Sequence, residues 1–82
     1  IIITMSVFEK LQRIMAATLE VPTNAISESS AMDAIEEWDS LGHVHIMVAL
    51  EQAFDLYMDV DDFAKLDSVP AILQYLESES VS

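Results

Sequence analysis

Three groups of side chains in this sequence could do chemistry. The first is the hydroxyl of Ser40, set in Trp38-Asp39-Ser40-Leu41-Gly42-His43. The apolar run that follows, through Phe54, reads as a helix, and Ser40 reads as its N-cap, able to accept from the free N–H groups of the first turn. Asp39 places negative charge at the positive end of the helix dipole. The second group is His43 and His45. Two apart on a helix, they point roughly 200° from each other and cannot share one metal ion. The third is Asp59, Asp61 and Asp62. A calcium loop needs a turn glycine there, and the chain's one glycine is Gly42. No metal site and no catalytic set is read from these residues, since the chain has no cysteine and no trusted Ser-His-acid arrangement.

The elements that must position Ser40 follow from periodicity and capping. Ser6-Val7-Phe8-Glu9 has capping-box spacing and opens a first helix. Its inner stripe is read as Val7, Leu11 and Ile14 with Met15 and Thr18, leaving Lys10 and Arg13 outside. Pro22 ends it. Thr23 to Asp39 is a long connection, pinned to the core by Ile26, Met32, Ile35 and Trp38. In the Ser40 helix, Ile46, Met47, Leu50, Ala53 and Phe54 make the buried face. Leu41, Val44 and Val48 make a second apolar face, which in a small soluble domain points to something docking there. Asp59 caps a short third helix with Phe63 and Leu66 inward. Ser68 caps a last helix, with Pro70 in its first turn and Val69, Ile72, Leu73 and Leu76 inward. The expected fold is all-α: a small bundle of three longer helices and one short one, with a long loop between helices 1 and 2.

With 82 residues the chain is one domain. Residues 5–78 form it. Residues 1–4 are read as an appended remnant or an upstream-start segment outside the fold, and 79–82 as a frayed tail. The apolar fraction of 52% excludes a disordered acidic tail. The net charge of −12 disfavours nucleic acid and anionic membranes as partners and favours proteins with basic patches. Such charge predicts that added salt, or mild acidification, stabilises the fold. The apolar runs are too short and too often interrupted by charge to span a membrane.

Asp39-Ser40-Leu41, with Trp38 before it, Gly42-His43 after it and the close Leu50-Glu51-Gln52-Ala53-Phe54, resembles the attachment segment of acyl carrier proteins. The resemblance extends over the layout from Ser6 to Glu77. It implies a 4′-phosphopantetheine arm on Ser40, flanked by Asp39 and Leu41, loaded from coenzyme A by a phosphopantetheinyl transferase. The thiol of that arm holds acyl groups as thioesters. The resemblance also implies a freestanding cytoplasmic monomer that performs no reaction itself. It delivers cargo to acyl-loading and acyl-processing enzymes of fatty-acid, polyketide or related biosynthesis. Leu41, Val44, Val48, Glu51, Asp61 and Asp62 become the partner-binding residues, and His43 borders the opening through which cargo enters the core. Two rival readings share these residues. One is an aminoacyl or peptidyl carrier. The other is an unmodified acidic helical adaptor for basic partners, which predicts that Ser40→Ala keeps function.

Overall fold

Each of the four α-helices in the computed structural model, which describes residues 6–79, starts on a residue whose side chain accepts a first-turn N–H. In α1 (Val7–Leu19) the Ser6 hydroxyl accepts from the Glu9 N–H, and the Glu9 carboxylate accepts from the Ser6 N–H, each at 3.1 Å. Both bonds satisfy donors that the helix itself leaves without acceptors. α1 stops where Glu20 turns left-handed at φ 58°, and Pro22 bars its resumption. α2 spans Ser40–Phe54 and ends on another left-handed residue, Asp55. α3 (Val60–Lys65) opens on a second capping box, formed by Asp59 and Asp62. α4 (Val69–Ser78) is capped by Ser68, with Pro70 in its first turn. The four helices and the long connection between α1 and α2 are as the sequence predicts. The expectations for residues 1–4 and for 80–82 lie outside the described residues.

The core gathers Leu11, Met15, Ala16 and Leu19 of α1, Ile46, Met47 and Leu50 of α2, Leu66 after α3, and Val69, Ile72 and Leu76 of α4. The α1 stripe therefore runs along 11, 15, 16 and 19. Val7 and Ile14 flank it, and half-buried Thr18 turns its hydroxyl back to the Ile14 carbonyl at 2.7 Å. Adding Ala16 and Leu19 shifts the stripe toward the face that meets α2. On α2, Ala53 is exposed and Phe54 only partly buried, and the last fully buried residue of the helix is Leu50.

The connection from α1 to α2 is fastened at several points, which is how a long segment stays ordered. Short 3-10 turns form at Thr23–Ala25 and Met32–Ala34. The Gln12 side-chain amide donates to the carbonyls of Thr23 and Ile26 at 2.9 and 2.8 Å. Ile26 and Trp38 are wholly buried, while Met32 and Ile35 pack at the core's edge. The Met32 N–H donates to the Asp67 carbonyl at 2.9 Å, and the Val69 N–H donates to the Ser30 carbonyl at 2.8 Å. This clip ties the loop to the start of α4.

Candidate functional site

The first turn of α2 differs from the sequence expectation in one respect. Asp39, not Ser40, is the N-cap: its carboxylate accepts from the Gly42 N–H at 2.8 Å, and its carbonyl accepts from the His43 N–H at 2.8 Å. Both residue types are competent caps. The backbone settles the matter, because Asp39 is extended and Ser40 already helical. Ser40 is thus the first residue of the helix, exposed, with its hydroxyl not used as the cap.

Gly42 permits this turn to sit where it does. A β-carbon there would lie 2.6 Å from the Glu37 carbonyl oxygen and 2.9 Å from Leu19 Cδ2. The segment leading into α2 and the end of α1 both close on the space that a side chain would fill.

Beneath the turn lies a buried relay. The Trp38 indole N–H donates to His43 Nδ1 at 2.9 Å. Indole can only donate, so Nδ1 carries the lone pair. The neutral ring then bears its proton on Nε2, which donates to the Phe63 carbonyl at 2.7 Å. That carbonyl belongs to the last turn of α3, where a helix leaves acceptors without partners. His43 therefore joins the approach to Ser40 to the end of α3. It is buried in this relay. The sequence carried one signal for it: a buried tryptophan needs an acceptor, and a histidine stands five residues on.

The outer apolar face of α2 is open. Leu41 is 65% exposed, Val44 44% and Val48 41%, spaced so that they share one side of the helix. Sequence reasoning missed two further exposed apolar side chains, Tyr57 at 87% and Val60 at 80%, in the α2–α3 connection and at the start of α3. Their signal was available, since neither falls on a buried stripe. Of the three acids expected to meet partners, Asp61 is exposed. Glu51 is half-buried and accepts from the Met58 N–H at 2.9 Å, and Asp62, three residues into the capping box, accepts from the Asp59 N–H at 3.2 Å. Both carboxylates hold the backbone around α3. Among the described residues no group of three His, Cys, Asp or Glu side chains could hold a metal ion. Nor is any helix among them long and apolar enough to cross a membrane.

Ser40 is thus an exposed serine at the start of an apolar helix, presented by a fastened loop. Residues 9–76 match the family model described as "phosphopantetheine attachment site". Acyl carrier protein of Clostridium acetobutylicum is 35% identical over 75 residues, covering 90% of this chain and 96% of that protein. Acyl carrier protein of Desulforapulum autotrophicum is 33% identical over 78 residues, covering 93% and 100%. The fold is similar to the solution structure of a holo acyl carrier protein from Geobacter metallireducens. There the TM-score is 0.78, with 20% identity over 90% of this chain and 85% of that one. The class is that of phosphopantetheine-attachment domains. Within it, this chain belongs to the acyl carrier protein family, whose covalently attached group is 4′-phosphopantetheine and whose members are carriers rather than catalysts.

Proposed function

We propose that Ser40 carries the 4′-phosphopantetheine arm and that the protein delivers acyl groups between biosynthetic enzymes. The observation that carries this reading is the exposed Ser40 at the first helical position of α2, beside the open face of Leu41, Val44 and Val48. When bound, the arm supplies a thiol that holds the acyl group as a thioester. The chain's own residues do the rest. Asp39 caps the Gly42 N–H and leaves the Ser40 hydroxyl outward. The Ser40 and Leu41 N–H groups, which have no acceptor within the helix, face the end where a phosphodiester would sit. Leu41, Val44 and Val48 give short-range fit to a phosphopantetheinyl transferase and to acyl-loading and acyl-processing enzymes. Asp61 and the net charge of −12 draw in basic docking patches. The Glu37-to-His43 sequence favours a polyketide or other specialised pathway. The lack of cysteine is in keeping with a reducing, cytoplasmic setting.

The test is intact-protein mass before and after incubation with a broad-specificity phosphopantetheinyl transferase and coenzyme A. Wild type should gain one phosphopantetheinyl group and Ser40→Ala none. A folded wild type that stays unmodified with several transferases would end this reading in favour of an acidic adaptor.

A further inference from the structure

Ser40 and Leu41 are bracketed: three bonds join residues 38 and 39 before them to 42 and 43 after them. The Asp39 carboxylate accepts from the Gly42 N–H and the Asp39 carbonyl from the His43 N–H, each at 2.8 Å. Bonds of this kind belong to any capped helix start. The third does not. It runs from the Trp38 indole N–H to His43 Nδ1 at 2.9 Å, and it closes the bracket from inside the core. Trp38 is wholly buried, and its backbone N–H donates to the Ile35 carbonyl at 3.1 Å. Ser40 and Leu41 are exposed above it. The place of the Ser40 hydroxyl is therefore set from beneath.

We infer that His43 is a positioning residue for phosphopantetheinyl transfer to Ser40, acting through the Trp38 indole. The inference rests on Ser40 being the attachment point. In the transfer, Ser40 Oγ attacks the coenzyme A phosphorus that bears pantetheine. The Oγ–P bond forms and the P–O bond to 3′,5′-ADP breaks. The hydroxyl proton passes to a base of the transferase, and the nucleotide leaves with the electron pair. Such a displacement needs the attacking oxygen in line with the leaving group, and a misplacement of about 1 Å can cost about 100-fold in rate. Trp38 stands two residues before the nucleophile, so an indole that turns away carries the Asp39 cap with it. The Phe63 carbonyl supplies the other half of the device. It accepts from His43 Nε2–H at 2.7 Å and so keeps the Nδ1 lone pair toward the indole.

The experiment is single-turnover transfer with coenzyme A and excess transferase, read by intact mass, on wild type, His43→Phe, His43→Asn and His43→Gln. Each is measured well below its thermal midpoint. Single turnover separates the transfer step from docking and release. The Trp38 indole resonance in ¹H–¹⁵N NMR reports whether its bond survives. His43→Asn can place a carbonyl oxygen where Nδ1 stands, and His43→Gln an amide N–H where Nε2 stands. The rate should follow the indole bond. His43→Phe and His43→Gln should free the indole and slow transfer roughly tenfold or more. The transferase concentration for half-saturation should stay within about twofold, because the docking face is untouched. His43→Asn should hold the indole and restore the rate, although it leaves the Phe63 carbonyl unmet. A variant with a freed indole and wild-type rate, or with a bonded indole and slow transfer, overturns the inference while leaving attachment intact. If His43→Phe does not fold, the other two decide by the same rule. A wild type that gains no mass fails the attachment reading instead.

Discussion

The indole of Trp38 and the imidazole of His43 are joined by a 2.9 Å hydrogen bond, with ring centroids 6.0 Å apart and planes tilted by 32°. The bond spans the first turn of α2 from below. It makes the approach to Ser40 and the end of α3 parts of one polar unit inside an apolar core.

Replacing His43 with Phe leaves the buried Trp38 N–H and the part-buried Phe63 carbonyl without the imidazole. Each such loss costs roughly 1–3 kcal/mol. Urea denaturation should show a stability loss of that order or more. Hydrogen exchange should quicken in α3 before α1, because α3 has only six residues and loses the imidazole bound to its Phe63 carbonyl. Equal quickening throughout would argue against a local tie.

Gly42→Ala should be costly although glycine is otherwise a poor helix residue. The added carbon meets a backbone carbonyl at 2.6 Å, and backbone cannot swing aside as a side-chain tip can. Overpacking of this kind costs roughly 1–3 kcal/mol. Thermal unfolding measures the loss. A slower phosphopantetheinyl transfer, measured well below the new midpoint, would show that the turn bearing Ser40 has shifted.

Leu41→Ala and Val48→Ala separate recognition from folding. Both side chains are exposed, so stability should stay within about 0.5 kcal/mol. If the face docks enzymes, transferase KM should rise roughly tenfold, equivalent to about 1.4 kcal/mol. An unchanged KM in the double variant would remove this face from the docking surface.

Added salt should raise the midpoint at neutral pH. Fifteen acids against three bases repel one another in the folded chain, and salt screens that repulsion. Differential scanning calorimetry from low to moderate salt tests it. A falling midpoint would mean that favourable charge contacts outweigh the repulsion.

Tyr75 gives an alkaline limit. Burial of its ring pushes the phenol above its ordinary 10.0, and the carboxylates of Asp62, Glu79, Asp59 and Glu51 push it the same way. The unfolded chain then loses this proton before the folded one does. The stabilisation is full below the ordinary value and is lost as pH rises through the folded one. Denaturation midpoints measured from pH 9 upward should fall, and Tyr75→Phe should flatten the fall.

Capping made the helices legible. Ser6 with Glu9, Asp59 with Asp62, and Ser68 with Pro70 announce three starts by chemistry that acts over three residues. The start of α2 was legible only to within one residue, because Asp39 and Ser40 both cap well and only the backbone chooses between them. Contacts between distant segments left little mark. Neither the clip of Met32 to Asp67 nor the tie of His43 to Phe63 uses a residue pair whose spacing means anything in sequence. Glu51 shows the same limit. Its charge is plain in the sequence, and its bond to the Met58 N–H is not.

The clip between 30–32 and 67–69 sets an order of events. A ribosome delivers Ser40 well before Asp67 and Val69. A nascent chain arrested ahead of α4 therefore bears the serine but not the fastening that seats the segment leading to it. Truncation beyond Leu66 would spare the attachment sequence entirely and still undo its presentation. In this fold the serine stands in the middle of the chain, and the fastening behind the segment that leads to it comes near the end.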